Sequence, residues 1–468
     1  MSETAPIAIT FASFIALFIG VGLYASRRKS STSSDYLLAG RGVNSWLAAL
    51  STVATGNSGF MFIGLIGFTY ETGLSAIWIS VGYLTGEICA WLSVHKRLRQ
   101  NSETANSETI ADFLGHGVEN GRWITATVAL LTLGFLGTYA AAQLQAGSKA
   151  LSVLFDWDLA VGILLGAAIV AIYCTLGGIR ASIWVGSVQS ILMIGSMILL
   201  AGTAIATVGG FSALGQQLKD ISPDLVSPWP THLLFGAVPF IFAWATSGFG
   251  VIGQPHIMVR MMTIDSVEKV SRTRNLYLVL NIVLSIAATI VGLTARVLLP
   301  ELSGGDPELA LPELATRLLP SLWVGLVLVG LFSATISTAD AQVLSCSAAL
   351  TQDLLPLKQR PDWLMKAGTL FMVVVVLGLA LVSPDDVFTL VTFSWAALAA
   401  GLGPLMVVRV FRQPINTTTA IAMMLTGVGV ALFWRIGLHW SQDVYEVLPG
   451  MVASTLVYLA ARPWLPPQ

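Results

Sequence analysis

Residues 54–64 read ATGNSGFMFIG and residues 245–255 read ATSGFGVIGQP. Each opens with Ala-Thr, passes through small residues to Gly and Phe, and reaches Gly again. Each sits in an apolar run long enough to cross a bilayer, for which about 20 residues suffice. Glycine permits unwinding, and the carbonyls and amides freed by an unwound turn need partners that lipid does not offer. Interrupted helices at corresponding places in two inverted halves point to a transporter's binding centre. Close helix packing through small residues is the competing reading. Two matched segments, five spans apart and so oppositely oriented, favour the unwound centre, with breaks expected near Asn57 and Gly248.

Composition supports a membrane solvent. Of 468 residues, 55% are hydrophobic and 10% charged, with a mean hydropathy of +0.78, whereas a soluble domain carries about 25% charged residues. Apolar segments fall at 7–25, 44–68, 72–95, 123–147, 157–176, 180–207, 232–254, 275–299, 319–350, 364–383, 387–411, 417–435 and 444–461. The expectation is an all-α polytopic membrane protein with about 13 transmembrane helices. The first segment lacks a basic flank and a small-residue cleavage site, so it reads as a span and not a signal peptide. With the N-terminus outside, Arg27, Arg28, Lys29, Arg41, Lys96, Arg97, Arg99, Arg260 and Lys269 fall in inside loops. All but Lys149, Lys219, Arg296, Arg317 and Arg435 of the 24 Lys and Arg are then inside, as the positive-inside rule requires. The three cysteines lie in spans, and the five histidines show no ligand spacing. Neither a disulfide framework nor metal catalysis is expected, so the chain does not read as an enzyme. Nothing basic enough for nucleic acid is present.

The apolar run 322–344 contains TISTADAQ at 335–342, which places the hydroxyls of Ser337 and Thr338 beside Asp340. A carboxylate at mid-membrane costs on the order of 3 kcal/mol and normally faces a cavity or a partner. Asp340 lies three residues from Ser337, on roughly the same helix face. Glu87 is the other intramembrane acid. Both are candidates for coupling, with a packed or partner-bound structural role as the plainer reading, ranked first for Glu87.

Six stretches carry a resemblance: SGFMFIGLIGFTYETGLSAIW (58–78), TLGGIRASIWVGSVQ (175–189), GQPHIMVRMM (253–262), ISTADAQVLSCSAALTQDL (336–354), SWAALAAGLGP (394–404) and YEVLPG (445–450). Together they resemble the sodium:solute symporter family, most closely its bacterial sodium/proline symporter branch. The resemblance implies a LeuT-type five-plus-five inverted repeat in a single domain, 1–468. The repeats would span about 44–207 and 232–411, with peripheral helices at 7–25, 417–435 and 444–461. It implies a sodium ion held by the carbonyls of Ala54, Asn57 and Ala334 and the hydroxyls of Ser337 and Thr338. It implies a solute near mid-membrane among Ser58, Gly59, Phe60, Tyr139, Trp244 and Ser247. The sequence departs from the branch at Gly56 and Gly186, where aspartates are usual, and at Ser247 and Val251, where aromatics are usual. Weak binding of one sodium and a thinned aromatic cage are the expectations.

The expected function is secondary active import of a small organic solute, an amino acid or related zwitterion, coupled to one sodium ion by alternating access across a bacterial inner membrane. A proton carried by Asp340 is the alternative coupling ion. A transporter-like sensor domain is a further alternative, disfavoured by an end at Pro466-Pro467-Gln468 without a soluble domain.

Overall fold

The computed structural model describes residues 4–27, 32–231, 233–355, 362–383 and 387–465. Arg28, Lys29 and residues 466–468, used in the reading above, lie outside the described residues. The helices that frame the site are α1 (Thr4–Ser26), α2 (Ser45–Gly56), α3 (Leu65–Thr72), α4 (Ile77–Ala90), α5 (Gly137–Phe155), α6 (Leu159–Val208) and α7 (Ala237–Phe249). They continue with α8 (Pro255–Met262), α9 (Val270–Leu298), α10 (Ser321–Ala348), α11 (Asp362–Val382), α12 (Val387–Val410), α13 (Thr417–Leu432) and α14 (Val447–Ala461). Among the described residues there is no strand, and extended backbone pairs only at an isolated bridge between Val43 and Ile264.

All thirteen apolar segments carry helix, though not as uniform rods. Among the described residues nine helices are long and apolar enough to cross a membrane, or ten if the bent pair Ala237–Gly253 and Pro255–Met262 is one span. The continuous run Phe60–Thr104 has 45 residues and would be roughly 68 Å long as a straight helix, over twice a hydrocarbon core of about 30 Å. It turns at Gly73, where φ is +71° and a Cβ would lie 2.3 Å from the Leu225 carbonyl oxygen. The 50-residue α6 turns likewise at Gly178, with φ +55°. Each run therefore holds two of the expected segments. At 12 and 15 residues, α2 and α14 are too short to count alone.

Burial separates centre from periphery. In the most apolar windows of α12 and α10, 89% and 83% of residues are buried, against 22% in α1 and 33% in α13. Helix α10 packs on α6, α5, α1 and α2, and α4 packs on α7. Charged residues assigned to opposite sides of the bilayer gather in separate clusters. Arg296, Arg435, Asp306 and Glu308 line a broad vestibule, and Lys149 bridges to Asp306 at 2.7 Å and to Glu308 at 2.6 Å. On the other side, Arg41 donates to the carbonyls of Met262 (3.1 Å) and Ser107 (2.9 Å), and Arg99 to that of Ile264 (2.6 Å).

Both quoted stretches are broken. Helix α2 stops at Gly56, and Asn57 (φ −98°, ψ 71°) leaves the helical region. The second break is not at Gly248 but six residues on. Gly248 is helical, and a 3₁₀ turn follows at Gly250–Gly253. Gln254 then takes φ −100°, ψ 100°, and α8 departs at 58°. The cause is Pro255, which has no N–H to continue the ladder and drives the residue before it towards extended backbone. Gly248 serves packing instead: a Cβ there would lie 1.8 Å from the Tyr83 carbonyl oxygen, and one on Gly86 would lie 1.7 Å from that of Ala245. At Gly248 the small-residue reading wins.

Candidate solute and ion sites

The break after Gly56 leaves the last carbonyls of α2 without helical partners, at the helix end that carries partial negative charge. Two hydroxyls of α10 meet them. Ser337 donates to the Ala54 carbonyl at 2.9 Å and to that of Ala334 at 3.2 Å. The Thr338 hydroxyl has the carbonyls of Ala334 (2.9 Å), Thr55 (3.1 Å) and Ala54 (3.4 Å) within reach as acceptors for its one hydrogen. Ala54, Ser337 and Thr338 are all buried. The result is a knot of five neutral oxygens from two helices, the donor type that a hard monovalent cation prefers. Among the described residues no cluster of three or more His, Cys, Asp or Glu is placed to hold a metal.

Four of the five expected ligand residues are thus together. The Asn57 backbone N–H and Nδ2 both donate to the Val53 carbonyl at 3.0 Å, closing the end of α2, while its carbonyl, the atom expected at the ion, takes no part in the hydrogen bonds of Ser337 and Thr338. The Thr55 carbonyl, which the sequence reading missed, occupies the place beside Thr338. A Cβ on Gly186 would meet Ala54 and Ser51 at 3.7 Å, ordinary contact.

Asp340 points elsewhere. Its Oδ1 accepts from the Ser182 hydroxyl at 2.7 Å, and that hydroxyl accepts from Arg260 Nη2 at 3.0 Å. The guanidinium lies 4.0 Å from the carboxylate, both side chains being 1% exposed. Asp340 therefore has a positive partner on α8 that the sequence reading had quoted without pairing. Glu87 is also engaged, accepting from Tyr277 at 2.5 Å and from Asn281 at 3.0 Å.

Ser58, Phe60, Tyr139, Trp244 and Ser247 line one cavity beside the break. Ser58 and Tyr139 share a hydrogen bond of 3.0 Å, and the Phe60 N–H donates to the Ser58 hydroxyl at 3.1 Å. Gly59 does not belong to that wall. Its N–H donates to Gln143 at 2.7 Å and a Cβ would lie 2.7 Å from that of Ala146, so it marks the close approach of the chain to α5.

The aromatic cage is also fuller than expected. Tyr83, Trp395 and Tyr445 join the lining from α4, α12 and the segment before α14. Tyr445 stacks on Trp244 with ring centroids 4.7 Å apart, and Tyr83 lies 5.7 Å from Trp395. Aromatics absent from Ser247 and Val251 are supplied by other elements, two of them within the quoted stretches SWAALAAGLGP and YEVLPG. Trp244, Thr392 and Tyr445 also face the vestibule, so they form the partition between it and the solute cavity.

With this geometry in view, the comparisons with known proteins are consistent. The model of the sodium:solute symporter family matches residues 36–427. The sodium/proline symporter of Salmonella typhimurium is 30% identical over 471 residues, covering 97% of this chain and 92% of the relative. The high-affinity proline transporter of Bacillus subtilis is 29% identical, with 93% of each covered. Among solved structures, a substrate-bound, outward-open sodium-coupled sialic acid symporter superposes with a TM-score of 0.82 at 19% identity, over 99% of this chain and 98% of that one. At that identity the likeness speaks for the fold. A membrane transporter and not an enzyme, this chain belongs to the sodium:solute symporter family.

Proposed function

We propose that the chain imports an amino acid or related zwitterion together with one sodium ion, by alternating access across a bacterial inner membrane. One observation carries this reading: a single helix break serves both sites. Ala54 and Thr55 face the hydroxyls of α10, while Ser58, three residues beyond Thr55, lines the solute cavity. An ion that draws Ser337 and Thr338 onto those carbonyls fixes the geometry of the residues that meet the solute. Each site thereby favours occupation of the other, which is the coupling free energy a symporter needs. That the Salmonella relative is named a sodium/proline symporter supports both the ion and the class of solute.

The drive is adequate. A tenfold sodium gradient contributes about 1.4 kcal/mol, and a potential of about 100 mV adds about 2.3 kcal/mol per charge. Proton coupling through Asp340 is the weaker reading, because that carboxylate is already committed to Ser182 and Arg260. The test is uptake of labelled amino acids into proteoliposomes at fixed pH. Accumulation must follow an inward sodium gradient; equal accumulation without sodium, driven by a pH step, rejects the proposal.

A further inference from the structure

On the part of the solute cavity wall that α4 and α9 form, Ser80, Tyr277 and Asn281 contribute polar atoms. Behind them lies Glu87, 2% exposed and without an ion-pair partner among the described residues. Three hydrogen bonds close a ring. Asn281 Nδ2 donates to Glu87 Oε2 at 3.0 Å and to the Tyr277 oxygen at 3.2 Å, and the Tyr277 hydroxyl donates to Glu87 Oε1 at 2.5 Å. With Asn281 Nδ2 turned to the ring, the donor directions follow. Tyr277 receives a hydrogen from Asn281 and so sends its own to Glu87, whose two oxygens both accept. With the amide so placed, both Glu87 oxygens accept and neither donates.

The ring also fixes the Asn281 amide. Flipping it would set Oδ1 against the carboxylate, oxygen to oxygen. With both amide hydrogens spent on the ring, Oδ1 remains buried, and it has no hydrogen-bond partner among the described residues. The Ser80 hydroxyl, on the same wall, has none either. A buried acceptor left unpaired is costly, and here it belongs to a residue that lines a cavity whose described lining includes no charged side chain. Gly56 packs beside this wall, a Cβ there lying 3.4 Å from the Tyr277 hydroxyl, an ordinary contact.

The geometry points to a subsite for the protonated amine of the solute: its N–H donates to Asn281 Oδ1, the Ser80 hydroxyl accepts a second, and Glu87 supplies the opposite charge from behind the amide. This deepens the reading of zwitterion import and rests on it. Glu87 is a positioning residue, since it acts through Asn281, which touches the solute. A site built around a polar group discriminates strongly against analogues that cannot pair with it. Solutes without an N–H, or without a positive charge, are thereby excluded.

The experiment measures thermal stabilisation of the purified full chain at fixed sodium by the standard L-amino acids singly, by glycine betaine (a fixed cation without N–H) and by lactate (a carboxylate without nitrogen). Sodium alone is titrated in parallel. Stabilisation by at least one amino acid but by neither betaine nor lactate is expected. Glu87→Gln and Asn281→Leu are expected to weaken that amino acid's midpoint about tenfold or more, with the sodium midpoint unchanged and with partial recovery in Glu87→Asp. Stabilisation by lactate and by no amino acid would overturn the zwitterion reading itself. An amino acid that stabilises Glu87→Gln at its wild-type midpoint, or betaine acting as well as the amino acid, would overturn the amine subsite alone. A sodium midpoint that weakens in Glu87→Gln would also overturn it, making Glu87 an ion ligand.

Discussion

Arg260 on α8 and Asp340 on α10 face each other at 4.0 Å with the Ser182 hydroxyl bridging them, donating to one and accepting from the other. The pair joins the helix after the second break to the helix that carries Ser337 and Thr338. A buried charge deprived of its partner is costly, about 3 kcal/mol or more. Asp340→Ala is therefore expected to lower the melting temperature of the purified protein markedly, with Asp340→Asn milder because Ser182 can still donate. Folded Asp340→Asn protein should retain sodium-driven uptake. Loss of all ion-driven uptake in a variant that melts like wild type would make Asp340 the coupling carboxylate.

The reciprocal glycines of α4 and α7 yield a packing prediction. A Cβ on Gly86 or Gly248 would fall within 2 Å of the other helix's backbone, at 1.7 and 1.8 Å, and backbone cannot step aside as a flexible side chain can. Gly86→Ala and Gly248→Ala should each destabilise by about 3 kcal/mol or more. Gly186→Ala meets only ordinary contacts at 3.7 Å and should stay within about 0.5 kcal/mol of wild type. Thermal melts of the three variants check this; a Gly248→Ala protein as stable as Gly186→Ala would contradict the packing.

Tyr445 belongs to the segment leading into α14, yet it closes the solute cavity, stacking on Trp244 and donating to the Thr392 carbonyl at 2.6 Å. Removing the ring opens the partition to the vestibule. Tyr445→Ala should weaken solute binding about tenfold, while Tyr445→Phe keeps the stack and loses the hydroxyl's bond to the Thr392 carbonyl, about 1 kcal/mol. Sodium affinity should change less than solute affinity in both. Equal losses for the two would place Tyr445 outside the solute's reach.

The sequence made the helical segments and the first break readable because periodic apolar runs and glycine clusters act locally. It also made the Ser337–Thr338 pair readable, since adjacent hydroxyls in an apolar run demand a reason. Four features needed the third dimension. The second break was displaced from Gly248 to Gln254 because glycine is ambiguous between unwinding and close packing, whereas Pro255, present in the quoted stretch, was the decisive local signal. Gly59 was assigned to the solute by its match to a pocket position of the symporter branch, though its missing side chain accommodates Ala146. The contributions of Tyr83, Trp395 and Tyr445 come from elements distant in sequence, so no spacing rule reaches them. Asp340 was visible as an intramembrane acid, but Arg260, 80 residues away in sequence, was assigned to an inside loop, and only the structure shows it buried against Asp340.

The central claim is that the oxygens of Ala54, Thr55, Ala334, Ser337 and Thr338 hold the ion that drives transport. The measurement that tests it most directly is amino acid uptake into proteoliposomes at fixed pH, with and without an inward sodium gradient, in wild type and in the Ser337→Ala, Thr338→Ala double variant. The account predicts sodium-driven accumulation in wild type. It predicts that the double variant loses that drive while remaining folded and still equilibrating solute down its own gradient. Undiminished sodium-driven accumulation in the double variant would contradict it.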